Sequence, residues 1–415
     1  MNATLWTMAS MASMASMASI ASTATIPDPA LIGGAFVATL VGTLAFRRIL
    51  ARAAMLDHPN ERSSHDVPVP RGGGVVFVAA CALALLLLLT RGALHPVMWA
   101  TFAGLLAIAL IGFIDDRRHV GAATRLAFHL SGSAAAVFAA TFGSAAWLPA
   151  EITAHPIVPV AGVLLLAVAS AWMVTLVNFV DGIDGLAAFG GTTILAAAAL
   201  LPAVFPLSAV FPLSATLPLS AVLPLENALP GGETPALRVD GNALRADSEV
   251  LRTFALACAA AVGAFGVVNI SRWRIFMGDA GSGALGLLIA FTLVALAAGR
   301  GLAPLAALAL PAVFVADTTT TLAIRVWRRE HPARAHRTHA YQRLVRRGWP
   351  HLAVSATYLA VFAATALPVA IYAQSGGAYG GTAVVGLYVT LAIAAFLLGA
   401  GREPRTTQIN AHKTA

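Results

Sequence analysis

Apolar runs of roughly 16 to 22 residues recur eleven times along the chain and limit it more than any other feature. A helix of that length crosses the hydrocarbon of a bilayer, whereas a membrane β-strand needs only about half as many residues. Composition agrees: 11% of the chain is charged and 59% hydrophobic, where a soluble domain carries about 25% charge. The mean hydropathy is +0.81. The expected fold is an all-α, polytopic transmembrane helix bundle of about 11 spans. They lie near residues 30–46, 75–90, 97–114, 124–142, 157–174, 186–201, 251–268, 284–298, 302–322, 352–372 and 382–399.

Residues 29–400 are the expected membrane domain. Ahead of it, residues 1–28 form a low-complexity N-terminus with four copies of Met-Ala-Ser and no basic signal region. After it, 401–415 is a polar tail. Between the sixth and seventh spans, 202–250 repeats units such as FPLSAV, with proline at every sixth position. That spacing forbids a continuous helix, so the segment reads as an irregular extramembrane insert.

Alternating the spans puts 21 basic residues in the loops and tail of one face and 5 on the other. Basic loops stay in the cytoplasm, so the first face is expected to be cytoplasmic and the insert to lie outside, in the periplasm of a bacterial cell. The same rule accounts for the net charge of +8 without a nucleic-acid partner, and none is expected. Cys81 and Cys258 lie in apolar runs, have neither disulfide nor metal spacing, and read as small packing residues.

The polar clusters fall on the same face. VNFVDGIDGLA (177–187) carries Asn178, Asp181 and Asp184 between two apolar runs, and such groups must face water, a metal or a substrate. Asp115 and Asp116 end the third span. They read either as a helix end salt-bridged to Arg117 and Arg118 or as a pair that holds a cation. Asp279, in MGDAGSG (277–283), stands directly before the eighth span. It reads as an N-cap or a metal ligand, with exposed amides beyond it for an anion. The loop 331–348 gathers His336, Arg337 and His339, donors of the kind phosphates bind. The bland alternative is a basic cytoplasmic loop, the reading favoured for Arg343, Arg346 and Arg347. Several carboxylates and an amide suit Mg²⁺, completed by water and substrate phosphates, better than Zn²⁺. Together these residues point to metal-assisted phosphoryl transfer between a lipid phosphate and a soluble nucleotide at the inner membrane surface.

Five stretches in order, DHPNERSSHDVPVPRGGG, GFIDDRRH, NFVDGIDGL, FMGDAGSGALG and AHRTHAYQRL, resemble the polyprenyl-phosphate N-acetylhexosamine-1-phosphate transferases over about residues 30 to 400. They look most similar to the branch that initiates O-antigen chains. The resemblance implies a bacterial inner-membrane enzyme that joins undecaprenyl phosphate to the sugar-1-phosphate of a UDP-N-acetylhexosamine and releases UMP. It implies Mg²⁺, with Mn²⁺ as substitute. By motif match Asp279 is the principal metal ligand, with Asp181 beside it. Asp115 and Asp116 are catalytic, near the lipid phosphate, one of them as base, and Asp181 joins them. Asn178 and Asp184 bind the nucleotide, while His336, Arg337 and His339 hold phosphates. Relatives of this kind are often homodimers. The chain departs from the pattern at Thr175, where many members have Asn, and at Arg117, Arg118 and His119, where some have Lys. The nearest alternative within the family is a phospho-N-acetylmuramoyl-pentapeptide transferase. A cation-coupled transporter, the alternative outside it, predicts acids near mid-span and paired broken helices.

Overall fold

The computed structural model describes residues 28–53, 55–57, 68–141, 157–206, 241–299, 301–331 and 336–402. The Met-Ala-Ser repeats, residues 58–67, the repeated units of the insert and the tail beyond 402 lie outside the described residues.

Every expected span is helical. In chain order they are α1 (Pro29–Arg52), α2 (Gly74–Thr90), α3 (Trp99–Asp115), α4 (Ala122–Thr141), α5 (Ile157–Val180), α6 (Leu186–Val204), α7 (Gly241–Asn269) and α8 (Gly278–Ala298). They continue with α9 (Pro304–Ala309), α10 (Ala312–Trp327), α11 (Ala340–Arg346), α12 (His351–Val361), α13 (Leu367–Gln374) and α14 (Gly380–Leu398). Among the described residues, eight helices are long and apolar enough to cross a membrane, and α2 is a shorter apolar one. The protein is thus an all-α, polytopic helical bundle. Asp28 starts it, its side chain accepting from the N–H groups of Ala30 and Leu31 ahead of Pro29 at the first helical position.

Four boundaries differ from expectation; first, the seventh span begins at Gly241 rather than near 251, so residues 241–250 of the segment expected to be irregular are helical. The ninth span is not continuous: Pro311, which has no N–H to give, separates α9 from α10. The tenth runs through a single wide turn, Phe362–Ala366, between α12 and α13. Pro368 follows that turn, and its missing N–H frees a carbonyl in the preceding turn. The eighth begins at Gly278 rather than near 284, which places Asp279 inside its first turn.

Helix α8 is the strut of the bundle. Its apolar window is 89% buried, against 11% for α1 and 17% for α14, which present their sides to lipid. A helix apolar all round belongs in an interior, and α8 packs against α2 through α7. Lipid gives helices no hydrophobic reason to associate, so close packing through small residues does that work. A Cβ on Gly286 would sit 2.5 Å from the Val174 backbone of α5. A Cβ on Gly112 would sit 2.5 Å from the backbone of Asp279 and Ala280. The last turn of α3 therefore rests on the first turn of α8 almost backbone to backbone.

A short hairpin, β1 (Leu56–Asp57) with β2 (Val69–Pro70), pairs Leu56 with Pro70 and Asp57 with Val69. Beyond it the glycines continue alongside 276–277. Gly72 and Gly73 both donate to the Phe276 carbonyl (3.1 and 2.9 Å), and Phe276 donates to that of Pro70 (2.8 Å). Arg71 is thereby fixed over the start of α8.

Gly112→Ala is expected to cost about 1–3 kcal/mol by overpacking against an unyielding backbone, read as a lower melting temperature of the detergent-solubilised protein. Gly121, where an added Cβ meets nothing within 4 Å, is the control: Gly121→Ala leaves the melting temperature unchanged.

Candidate active site

The turn into α8 requires glycine. Gly278 has φ +76°, and a Cβ there would lie 2.5 Å from Asp116 Oδ2. With that turn made, Asp116 Oδ1 accepts from the Asp279 N–H (3.0 Å) and Oδ2 from that of Ala280 (3.3 Å). The amides expected to await an anion already hold one, the Asp116 carboxylate, whose charge complements the helix N-terminus.

Two guanidiniums close the cluster. Arg71 donates from Nε to Asp116 Oδ1 (2.9 Å) and from Nη2 to Asp279 Oδ1 (2.8 Å). Arg125, in the first turn of α4, reaches Asp115 Oδ2 (2.7 Å) and Asp279 Oδ2 (3.4 Å) through one Nη1. Asp115 Oδ1 also accepts from the Val120 N–H (2.6 Å). Neither acid of the Asp115–Asp116 pair is held by Arg117 or Arg118 among these contacts, and Arg117 lies over the Phe113 ring, 4.3 Å from its centroid. Burial alone would lower the Arg71 pKa, but Asp279, Asp116 and Asp57 outweigh it and raise the pKa, so the guanidinium stays charged. Beside this cluster opens a cavity of about 550 Å³ lined by Ala53, Met55, Leu56, Asp57, Arg71, Asp116 and Arg117, within the size range of small-molecule sites.

Asp181 follows α5 directly, and Asn178 lies in its last turn; both are half-buried. Burial pushes the Asp181 pKa well up; Arg71 opposes, while Asp279, Asp116 and Asp184 add to the rise. Asp181 is therefore within electrostatic reach of the cluster. Its other neighbour is Tyr341, whose hydroxyl donates to the Phe179 carbonyl (2.7 Å). The Phe179 ring packs on His336 and His339, with centroids 6.0 and 5.6 Å away. His339 is 1% exposed, and neither of its ring nitrogens has a hydrogen-bond partner. Burial lowers both imidazoles to about 3, helped by Arg325 at each and by His339 at His336. At neutral pH they offer an N–H donor rather than a positive charge. Arg337 lies half-buried in the same loop.

Asp317 holds that loop in place. Its carboxylate accepts from the N–H groups of Ala340 (2.8 Å) and Tyr341 (3.4 Å) and from the Tyr358 hydroxyl (2.6 Å). Asp184 stands apart from the guanidinium cluster. It is 5% exposed, and its Oδ2 lies 3.1 Å from His351 Nδ1 and 3.4 Å from Arg274 Nε. The structure thus joins Asp115, Asp116 and Asp279 directly and sets Asp181 near them. His336 and His339 belong to an aromatic plate, and Asp184 to a third group. Arg71, Arg125 and Asp317, to which the sequence reading gave no role, hold the acids and the loop in place. For Arg125 the signal was a lone arginine inside an otherwise apolar span.

Among the described residues no three His, Cys, Asp or Glu side chains converge as a ready cage for a metal. Mg²⁺ does not need one: it commonly takes one or two carboxylates, waters and substrate phosphates. Asp279 and Asp115, bridged by the same Arg125 nitrogen, fit that donor pattern.

Removing Arg125 leaves two neighbouring carboxylates without their shared counter-charge. Arg125→Ala is expected to cost about 3 kcal/mol, seen as a lower melting temperature, and Asp115→Asn in the same chain is expected to recover part of it. Arg71→Lys is expected not to replace arginine, because one ammonium cannot present two N–H groups in a fixed fork to two carboxylates.

Residues 98–297 match the family model described as glycosyl transferase family 4. A decaprenyl-phosphate N-acetylglucosaminephosphotransferase of Mycobacterium tuberculosis (strain ATCC 25618 / H37Rv) is 31% identical over 179 residues, 41% of this chain and 44% of the relative. The protein of the same name from Mycobacterium leprae (strain TN) is 31% identical over 172 residues, 40% of this chain and 42% of its own. The chain thus spans less than half the length of these relatives. The family match takes in Asp115, Asp116, Arg125, Asn178, Asp181, Asp184 and Asp279 and leaves out Arg71 and the 331–348 loop. Residues 98–297, just under half of the chain, are thus similar to glycosyl transferase family 4, and the matching relatives are polyprenyl-phosphate N-acetylhexosamine phosphotransferases.

Proposed function

We propose that the protein transfers a sugar-1-phosphate of the N-acetylhexosamine type from a UDP-sugar to a polyprenyl phosphate, undecaprenyl phosphate in the first instance. An oxygen of the lipid phosphate attacks the sugar-bearing phosphorus, the P–O bond to the nucleotide breaks, and UMP leaves. The product is a polyprenyl-diphosphate-sugar, the starting unit of O-antigen or another cell-envelope polysaccharide. The reaction takes place on the cytoplasmic face of the bacterial inner membrane, where the excess of basic loop residues lies. The observation that carries this reading is Asp279 held between Arg71 and Arg125, next to Asp115 and the 550 Å³ cavity. The relatives, named as N-acetylglucosaminephosphotransferases, favour an N-acetylhexosamine over a muramoyl-pentapeptide.

Phosphoryl transfer asks a protein mainly for positioning and for neutralising charge on the phosphate oxygens. Asp279, with Asp115 and Asp181 as neighbours, would hold Mg²⁺ or Mn²⁺, which supplies positive charge to the diphosphate. Arg71 has further N–H donors toward the cavity after its two carboxylate bonds, suited to a diphosphate. Asp181 and Asn178 line the nucleotide side, and His336 and Arg337 supply N–H donors to the phosphates, with His339 supporting them from the buried side. Asp116, fully engaged at the α8 N-terminus, acts by holding Asp279 where it is. A phosphate monoester loses its second proton near pH 6, so a base gains little at neutral pH, and Asp115 acts as a positioner.

The test is UMP release by the purified protein with undecaprenyl or decaprenyl phosphate, Mg²⁺ and a panel of UDP-sugars. UMP formed with a UDP-N-acetylhexosamine is expected; a folded protein that forms none with any sugar overturns the reading. Asp279→Ala is expected to be inactive at every Mg²⁺ concentration. Asp115→Asn is expected to be impaired by the same factor from pH 6 to pH 9, whereas a loss confined to low pH would make Asp115 the base.

A further inference from the structure

The loop between α5 and α6 carries Asp181 at one end and Asp184 with Gly185 at the other. Its far end is clamped from three elements. Gly185, at φ +82°, donates its N–H to Asn269 Oδ1 at the end of α7 (2.7 Å), and Asn269 Nδ2 donates onward to the Ile275 carbonyl (2.8 Å). Ser355 in α12 donates to the Asp184 carbonyl (2.8 Å). The Asp184 carboxylate meets His351, the first residue of α12, and Arg274, both at Oδ2, while Oδ1 is buried without a partner. In the tautomer with the proton on Nδ1, His351 donates to Asp184 Oδ2. One clamped oxygen must hold the carboxylate in a site that leaves the other unsatisfied, and an unmade buried hydrogen bond is costly. Arg274 is 40% exposed and weakly placed, whereas the His351 ring is 18% exposed. His351 is the better-buried hold on Asp184.

We propose that His351 is a positioning residue of the transfer reaction. Through Asp184 it anchors the Asp181–Gly185 loop to α12 and so sets where Asp181 meets the nucleotide sugar. The inference rests on the function proposed above for what Asp181 meets, but not for the anchoring itself. It gives the WPH segment (349–351) a role that neither the family match nor the phosphate-binding loop assigns.

The experiment uses the full chain in detergent with His351→Leu, which keeps bulk and removes the donor, and His351→Asn, which returns an N–H near the Nδ1 position. His351→Leu is expected to raise the KM for the UDP-sugar or lower kcat at least tenfold, with the KM for polyprenyl phosphate little changed. His351→Asn is expected to recover activity to within about threefold, and His351→Leu to add less than twofold to Asp184→Asn. Full activity in His351→Leu, equal losses in the Leu and Asn variants, or multiplying effects with Asp184→Asn overturns the proposal. Ser355→Ala, which removes only a hydroxyl from the same clamp, replaces His351→Leu if the latter does not fold. A second readout needs no turnover. In Asp181→Cys, with Cys81 and Cys258 both buried, the maleimide labelling rate is expected to change at least fivefold with His351→Leu and to return with His351→Asn. An unchanged rate overturns the anchoring even if no sugar is turned over. Absence of UMP from the wild-type protein, with the labelling change present, overturns only the proposed function.

Discussion

Helix α8 begins where it does because a buried carboxylate, Asp116, takes the N–H groups of its first turn. A helix N-terminus leaves four amides without partners, and at the end of an apolar bundle few groups are available to meet them. Asp116 can do so because α3 lies on α8 at Gly112. Once Asp116 is there its charge needs an answer, and Arg71 supplies it from the glycine-rich segment that runs beside Phe276. The same guanidinium then reaches Asp279. One capping interaction thus ties the end of α3, the start of α8 and the segment after β2 into a single unit.

The outcome is a site in which three carboxylates share two guanidiniums and negative charge is left in excess. Asp115, Asp116 and Asp279 face two guanidiniums, and each arginine is shared between two acids. Like-charged carboxylates at this range would repel or take up protons without such partners. In the proposed reaction, a cation arriving with an anionic substrate would have carboxylates to bind, and the arginines released from them would have phosphates to meet. Charge can be redistributed without leaving any group bare in a region of low dielectric, where an unpaired charge is most costly.

Much of this was legible in the sequence. Run length and charge alone give the helical bundle, because bilayer thickness fixes how long an apolar helix must be. The acids at helix ends were visible because nothing but function or pairing explains Asp115, Asp181 and Asp279 beside hydrocarbon-length segments. What stayed hidden was which partner each would choose. Asp115 passes over Arg117 and Arg118 for Arg125, ten residues on, and Arg117 lies over the Phe113 ring instead. Arg71 and Asp279 are 208 residues apart, a pairing that exists only once the bundle has formed. The start of α8 was misplaced because MGDAGSG is rich in glycine, which weakens any local helix signal; tertiary packing makes it helical all the same. That Phe179 and Tyr341 pack against His339, and that burial keeps its ring neutral, could not be read in one dimension.

The central claim is that charges from distant segments act as one unit around Asp279. A double-mutant cycle between Arg71 and Asp116 tests it most directly, with Arg71→Gln, Asp116→Asn and the double variant assayed for UMP release under identical conditions. Residues that share one network lose their effects together rather than separately. The account predicts that the double variant is no more than about threefold worse than the poorer single variant. Losses that multiply, as for two independent groups, would contradict it.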